Sequence, residues 1–161
     1  VSPYNQEAAR LALDSDLSAE YINDMVSIFQ DRRDVICDSL NMLKGVSCNK
    51  PSGAFYLFPN ISRVCNDLGL VDYHQQMLQS DMEHTSPSSL FQKFALYCHG
   101  VAVLDRPSFG QLGSDSKHYI RVSIASNLQI LEEGIDKLNN AILDHVGIRI
   151  FLDKRPDINL N

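Results

Sequence analysis

Arg121 is the residue of this 161-residue chain whose setting most demands a chemical explanation. It lies in Tyr119-Ile120-Arg121-Val122-Ser123-Ile124-Ala125, where Ile120, Val122 and Ile124 alternate with Tyr119, Arg121 and Ser123. That alternation predicts a strand over 119–125 with one apolar face, and it sends the guanidinium out from the other. The planar fork of an arginine matches a carboxylate through two parallel hydrogen bonds. Pattern alone leaves three arrangements open: an arginine reaching water at a sheet edge, one paired with an internal Asp or Glu, and one that receives a ligand's acid group. The nearby loop Arg106-Pro107-Ser108-Phe109-Gly110 is either a surface turn or a pocket wall with Phe109 as its apolar contact. Phe55, Tyr56 and Phe58 either fill a strand's core positions or line a pocket.

Other chemistries find little support. The five histidines, His74, His84, His99, His118 and His145, show no H-x-x-x-H or H-E-x-x-H spacing, so no metal centre is expected. There is no G-x-S-x-G, no G-x-G-x-x-G and no P-loop. Lys and Arg number 14 against 20 Asp and Glu, a net charge of −6. A phosphate binder carries a basic surplus or stripe, so no nucleic-acid partner is expected. No run approaches the ~20 apolar residues of a membrane span. Cys37, Cys48, Cys65 and Cys98 form no C-x-x-C pair and read as four reduced thiols, which points to a cytoplasmic setting.

The elements that must position these residues follow from periodicity. A short helix over 4–14 offers a small-residue face of Ala8, Ala9, Leu11 and Ala12, and Asp14-Ser15-Asp16 breaks it. A long helix over 18–44 is capped by Ser18, with Ile22, Met25, Ile28, Phe29, Ile36, Leu40 and Leu43 as one core-facing stripe, Arg32-Arg33-Asp34 on a solvated face, and Gly45 as its stop. Val46–Cys48 and Gly53–Phe58 read as two paired antiparallel strands. Residues 70–80 are helical in part, and 83–87 are a loop. A helix over 88–99 is capped by Ser88 or Ser89, buries Leu90, Phe91, Phe94, Ala95 and Cys98, and stops at Gly100. Val101–Leu104 is a short strand. Ser126-Asn127-Leu128-Gln129 fits a capping box before a helix that runs to about 144. Residues 147–161 add a strand or run irregularly. The fold class is α+β, with a small antiparallel or mixed sheet covered by helices.

Three motifs in order then resemble the class I/II aminotransferases of fold type I. Lys50-Pro51-Ser52-Gly53-Ala54-Phe55-Tyr56-Leu57-Phe58-Pro59 resembles the family's P-x-G-A-F-Y-x-F-P. Gly100-Val101-Ala102-Val103 followed by Ser108-Phe109-Gly110 resembles G-V-x-V-x-P-G-x-x-F-G. Tyr119–Ala125 resembles the R-[IVL]-S-x-A strand, and Leu131-Glu132-Glu133-Gly134 opens the expected Glu-rich helix. The resemblance is to the carboxyl-terminal portion of an aspartate-aminotransferase-like enzyme. It implies a pyridoxal 5′-phosphate enzyme that moves an amino group between an amino acid and a 2-oxo acid, working as a homodimer. It also implies that Arg121 clamps the substrate α-carboxylate, orienting the Cα–H bond for cleavage.

Two departures qualify the likeness. Lys44, Lys50, Lys93, Lys117, Lys137 and Lys154 all lack the G-x-R-x-G-[YW] context of the family's Schiff-base lysine, so this chain by itself is expected to hold no catalytic residue, to leave pyridoxal phosphate unbound and not to transaminate. Asp105-Arg106 stands where the family usually has Pro-Gly. The implied organisation is 1–15 as the end of a large cofactor-binding domain outside this sequence, 16–146 as the small carboxyl-terminal domain and 147–161 as an extension. The alternative is a non-catalytic ligand-sensing or interaction module derived from an aminotransferase.

Overall fold

A computed structural model describes residues 1–77, 85–110 and 117–154. Pro3 opens helix α1 (Pro3–Asp14), where the missing N–H of proline costs nothing. Ser15 is extended and ends it. The same serine starts α2 (Asp16–Met42) by accepting the Leu17 N–H at 3.3 Å. Ser18, the expected cap, lies inside the helix and donates instead to the Ala12 carbonyl. The turn between the helices is therefore tighter than the sequence suggested.

The two halves of α2 differ. Ile36 and Leu40 are fully buried, and Phe29 and Leu43 pack against the core. Ile22, Met25 and Ile28 are exposed, and α1 buries no residue. The predicted stripe is thus apolar along its length, but this chain covers only its carboxyl-terminal part. Arg33, expected in solvent, is half-buried: it donates to Asp34 at 2.7 Å and to the Pro51 carbonyl at 3.3 Å, and ties α2 to the loop that follows.

Tyr56–Leu57 (β1), Leu104–Asp105 (β2) and Ile120–Ser123 (β3) form a sheet in the order β1-β3-β2 with both pairs antiparallel. Leu57 faces Val122, and Leu104 faces Arg121. The predicted hairpin between 46–48 and 53–58 is absent. Ser47 bridges Asn60 instead, and β1 spends its hydrogen bonds on β3. Ala54 explains the late start of β1, because its φ of 65° is the left-handed region that no strand residue adopts. Likewise only the last residue of the expected 101–104 strand enters the ladder.

Two short helices, α3 (Ser62–Asp67) and α4 (Leu70–Gln75), join through Gly69 at φ 72°. Helix α5 (Pro87–His99) takes Ser86 as its cap, with Pro87 at its first position, rather than Ser88 or Ser89. Leu90, Phe91, Phe94 and Ala95 are fully buried, whereas Cys98 is exposed. Gly100 ends the helix at φ 66°. Helix α6 (Leu128–Leu143) is capped by Asn127, which accepts the Ile130 N–H at 2.9 Å, so Ser126 is not the capping residue. Residues 145–154 form a helix, α7 (His145–Lys154), not a strand. Ile148, Phe151 and Leu152 sit on one face at helical spacing and are buried, with the Phe151 ring 5.6 Å from that of Phe94.

Asn127→Ala should lower stability by about 1 kcal/mol and Ser126→Ala by much less, read from urea denaturation midpoints. A pH dependence follows from the buried thiols. Burial pushes Cys65 up to about 12, and burial together with the neighbouring Cys37 pushes Cys48 to about 12. Above the ordinary thiol value of about 8.5 the unfolded chain loses protons that the native state keeps, so stability falls as pH rises towards about 12. The loss should approach about 1.4 kcal/mol per pH unit for each such thiol, and Cys65→Ala should flatten the slope of stability against pH between 9 and 11.

Candidate functional site

Antiparallel pairing on both sides makes β3 the middle strand, so Arg121 is not at a sheet edge. Alternation along β3 turns Ile120 and Ile124 into the core, both fully buried, and turns Arg121 outward, half-buried. Tyr56 lies opposite Ser123 on β1, one diagonal step from Arg121. Its ring centroid is 4.1 Å from the guanidinium carbon. A second ring centroid, that of Phe109, lies 4.2 Å from the same carbon, delivered by a 3₁₀ turn (Pro107–Phe109) that follows β2. The turn closes with the Phe109 N–H donating to the Arg106 carbonyl at 2.8 Å.

Stacking against two rings stabilises the cation through the ring quadrupoles, at roughly 0.5–1 kcal/mol each where partly exposed. It engages none of the five N–H donors, which lie in the guanidinium plane. Among the described residues, Arg121 makes no hydrogen bond or ion pair. The internal-acid arrangement is therefore not found among the described residues. The site is a cation held in a fixed plane with its hydrogen-bonding edge unspent, and a small carboxylate is the group that edge matches best.

The aromatic contacts continue along this surface. Phe58 meets Phe109 edge-on at 6.2 Å and stacks on Tyr119 at 5.5 Å, and the Arg106 guanidinium lies 5.4 Å from the Tyr119 ring centroid. Phe58, Phe109 and Tyr56 thus all serve the outward surface around Arg121, while Leu57 between them fills the core. Phe55 packs on the Tyr56 ring, with centroids 4.2 Å apart, and reaches a second surface. With Met25, Val26, Phe29 and Ala54 it lines an open apolar cleft of about 470 Å³ between α2 and the 52–55 loop, of which Arg121 is not a part.

One residue that sequence reasoning did not single out as functional is Asp105. It is buried, and it accepts hydrogen bonds from Ser89 of α5 and, at 2.5 Å, from Ser108 of the turn that carries Phe109. The available signal was an acid in a strand-to-turn position where Pro-Gly was expected.

Comparison with known proteins identifies the family. Residues 2–138 match the family described as aminotransferase class I and II, and the chain belongs to that family. A probable aspartate/prephenate aminotransferase from Aquifex aeolicus is 30% identical over 142 residues, which is 88% of this chain and 30% of that protein. The aspartate aminotransferase of Bacillus subtilis is 30% identical over 127 residues, 79% of this chain and 27% of its own length. Among solved structures, the aromatic aminotransferase of Pyrococcus horikoshii superposes with a TM-score of 0.65 at 28% identity, over 85% of this chain and 30% of that one. The chain thus spans about 30% of the length of these relatives.

Proposed function

We propose that this chain supplies the substrate-carboxylate clamp of a pyridoxal-phosphate-dependent aminotransferase, which transfers an amino group between an L-amino acid and a 2-oxo acid. Arg121 grips the α-carboxylate, and Phe109 forms one wall of its seat. The observation that carries this reading is the guanidinium packed against two rings, with no hydrogen bond or ion pair among the described residues. A bidentate grip at that edge fixes the orientation of the substrate's Cα, which is what a proton transfer at that carbon requires.

The cofactor supplies an electron sink when bound. Two of the described lysines already have acidic neighbours. Lys50 is paired with Asp34 at 3.2 Å. Lys93, whose amine burial pushes down in pKa, lies within the field of Asp105. The Schiff-base lysine and the cofactor's cradle are accordingly assigned to a larger domain, with 1–15 as its last segment, 16–146 as the clamp-bearing domain and 147–161 as an extension. The assembled enzyme works as a homodimer in the cytoplasm. Exposed Leu13, Leu17, Tyr21 and Ile22 on α1 and α2 are consistent with such a larger assembly.

In the intact aminotransferase, Arg121→Ala should reduce kcat/KM for amino-acid donors by about 2–5 kcal/mol of transition-state stabilisation. Arg121→Lys should recover only part of it, because a point charge cannot reproduce the fork. Steady-state kinetics with unchanged kcat/KM in Arg121→Ala would remove the clamp. The 161-residue chain on its own, given pyridoxal 5′-phosphate, an L-amino acid and a 2-oxo acid, should form no new amino acid by chromatographic assay, and measurable turnover would overturn the division of labour.

A further inference from the structure

Phe109 is about half exposed, on a three-residue turn that ends at Gly110 with φ 96°, so apart from an edge-on contact with Phe58 it has little packing to hold it over Arg121. What fixes that turn is a polar tether. One Asp105 oxygen, Oδ2, accepts from Ser89 Oγ, and the other, Oδ1, accepts from Ser108 Oγ at 2.5 Å. Ser89 is anchored in turn: its hydroxyl is 2.8 Å from that of Ser86, the residue that caps α5 through the Ser89 N–H at 3.0 Å. Ser88, Ser89 and Asp105 are all buried, so these bonds are shielded from competing water. The carboxylate thus joins the amino end of a core helix to the residue immediately before Phe109.

We propose that Asp105 is a positioning residue of the clamp, its two oxygens bridging Ser89 and Ser108 so that the Phe109 ring stays on the Arg121 guanidinium. This rests on reading Arg121 as the carboxylate-binding residue. Without the bridge the turn loses its connection to α5, Phe109 samples other rotamers, and Arg121 keeps only the Tyr56 ring. The guanidinium plane is then set by one ring, and part of the orientation offered to a carboxylate is lost. A single acid can do this because its two oxygens accept independently in two directions. Asn retains one acceptor and adds donors that a serine hydroxyl can meet by rotating, so it should rescue where Ala does not.

The test reads the Arg121 Nε–H proton of the 161-residue chain by NMR, a resonance shifted by the ring currents of both flanking rings. Phe109→Ala defines the part of the shift that belongs to that ring. Asp105→Ala and Ser108→Ala should reproduce most of that change at an unaltered melting curve for Ser108→Ala, and Asp105→Asn should stay near wild type. Should Asp105→Ala fail to fold, Ser108→Ala, which leaves the buried bond to Ser89 in place, carries the test. Wild-type shifts in folded Asp105→Ala, or in Ser108→Ala where Asp105→Ala does not fold, would overturn the proposal. In the intact aminotransferase, Ser108→Ala should raise KM for the amino donor about two- to fivefold with kcat unchanged. If the shifts move but neither Ser108→Ala nor Arg121→Ala affects the kinetics, the tether stands as a structural contact and it is the clamp that falls.

Discussion

A guanidinium on the middle strand of a sheet has to be stabilised by something, and among the described residues it is aromatic rings, not an acid, that pack on this one. The rings of Tyr56 and Phe109 pack on it at 4.1 and 4.2 Å. A carboxylate in either place would have neutralised the charge and occupied the fork. Removing one partner of a hydrogen-bonded ion pair leaves a buried charge and costs several kcal/mol, so a site built on such a pair would have to break it before binding anything. Aromatic stacking avoids that cost, because an incoming carboxylate adds in-plane bonds to contacts that persist.

The rest of the fold follows from keeping those two rings in place. Tyr56 depends on β1, and β1 exists because Ala54 turns the chain at φ 65° so that Tyr56–Leu57 meet β3 in register. Phe109 depends on the turn after β2, and β2 is held both by its pairing with β3 and by the hydrogen bond from Ser89 of α5 to Asp105. Helix α5 is itself fixed by Phe91 and Phe94, fully buried, with Phe151 of α7 closing over Phe94. Core packing at α5 and α7 therefore reaches the outward face of the sheet through a short polar link rather than through apolar contact.

Which parts of this were legible in the sequence has a physical explanation. The strand carrying Arg121 and the long helices could be read because periodicity reports burial directly, one residue at a time. The sheet partners could not. Val46–Cys48 and Gly53–Phe58 are adjacent in sequence and rich in strand formers, so a local hairpin was the natural expectation, yet the left-handed Ala54 and the distant β3 decide the pairing. Caps slipped by one to three residues, from Ser18 to Ser15, from Ser88 or Ser89 to Ser86 and from Ser126 to Asn127, because several neighbouring polar residues could each satisfy a free N–H. Helix α7 was missed because its three buried residues become meaningful only once Phe94 is in place to receive Phe151.

At the site, the residue type could be read but its company could not. Arg121 was marked by a charge among apolar neighbours, and the family motif gave it a purpose. That Tyr56 and Phe109 flank it is a fact of register and turn geometry, which no spacing rule encodes. Asp105 illustrates the same limit from the other side. Proline in a turn acts through a fixed φ and needs no partner, whereas an aspartate acts only through the hydroxyls it finds. Where the family usually has Pro-Gly, this chain therefore shifts the constraint from the backbone to side chains at Ser89 and Ser108. The two solutions respond differently to change: the backbone one survives substitution of its neighbours, and the side-chain one makes Phe109, and through it the orientation of Arg121, depend on the adjacent Ser108 and on Ser89, twenty residues away in sequence.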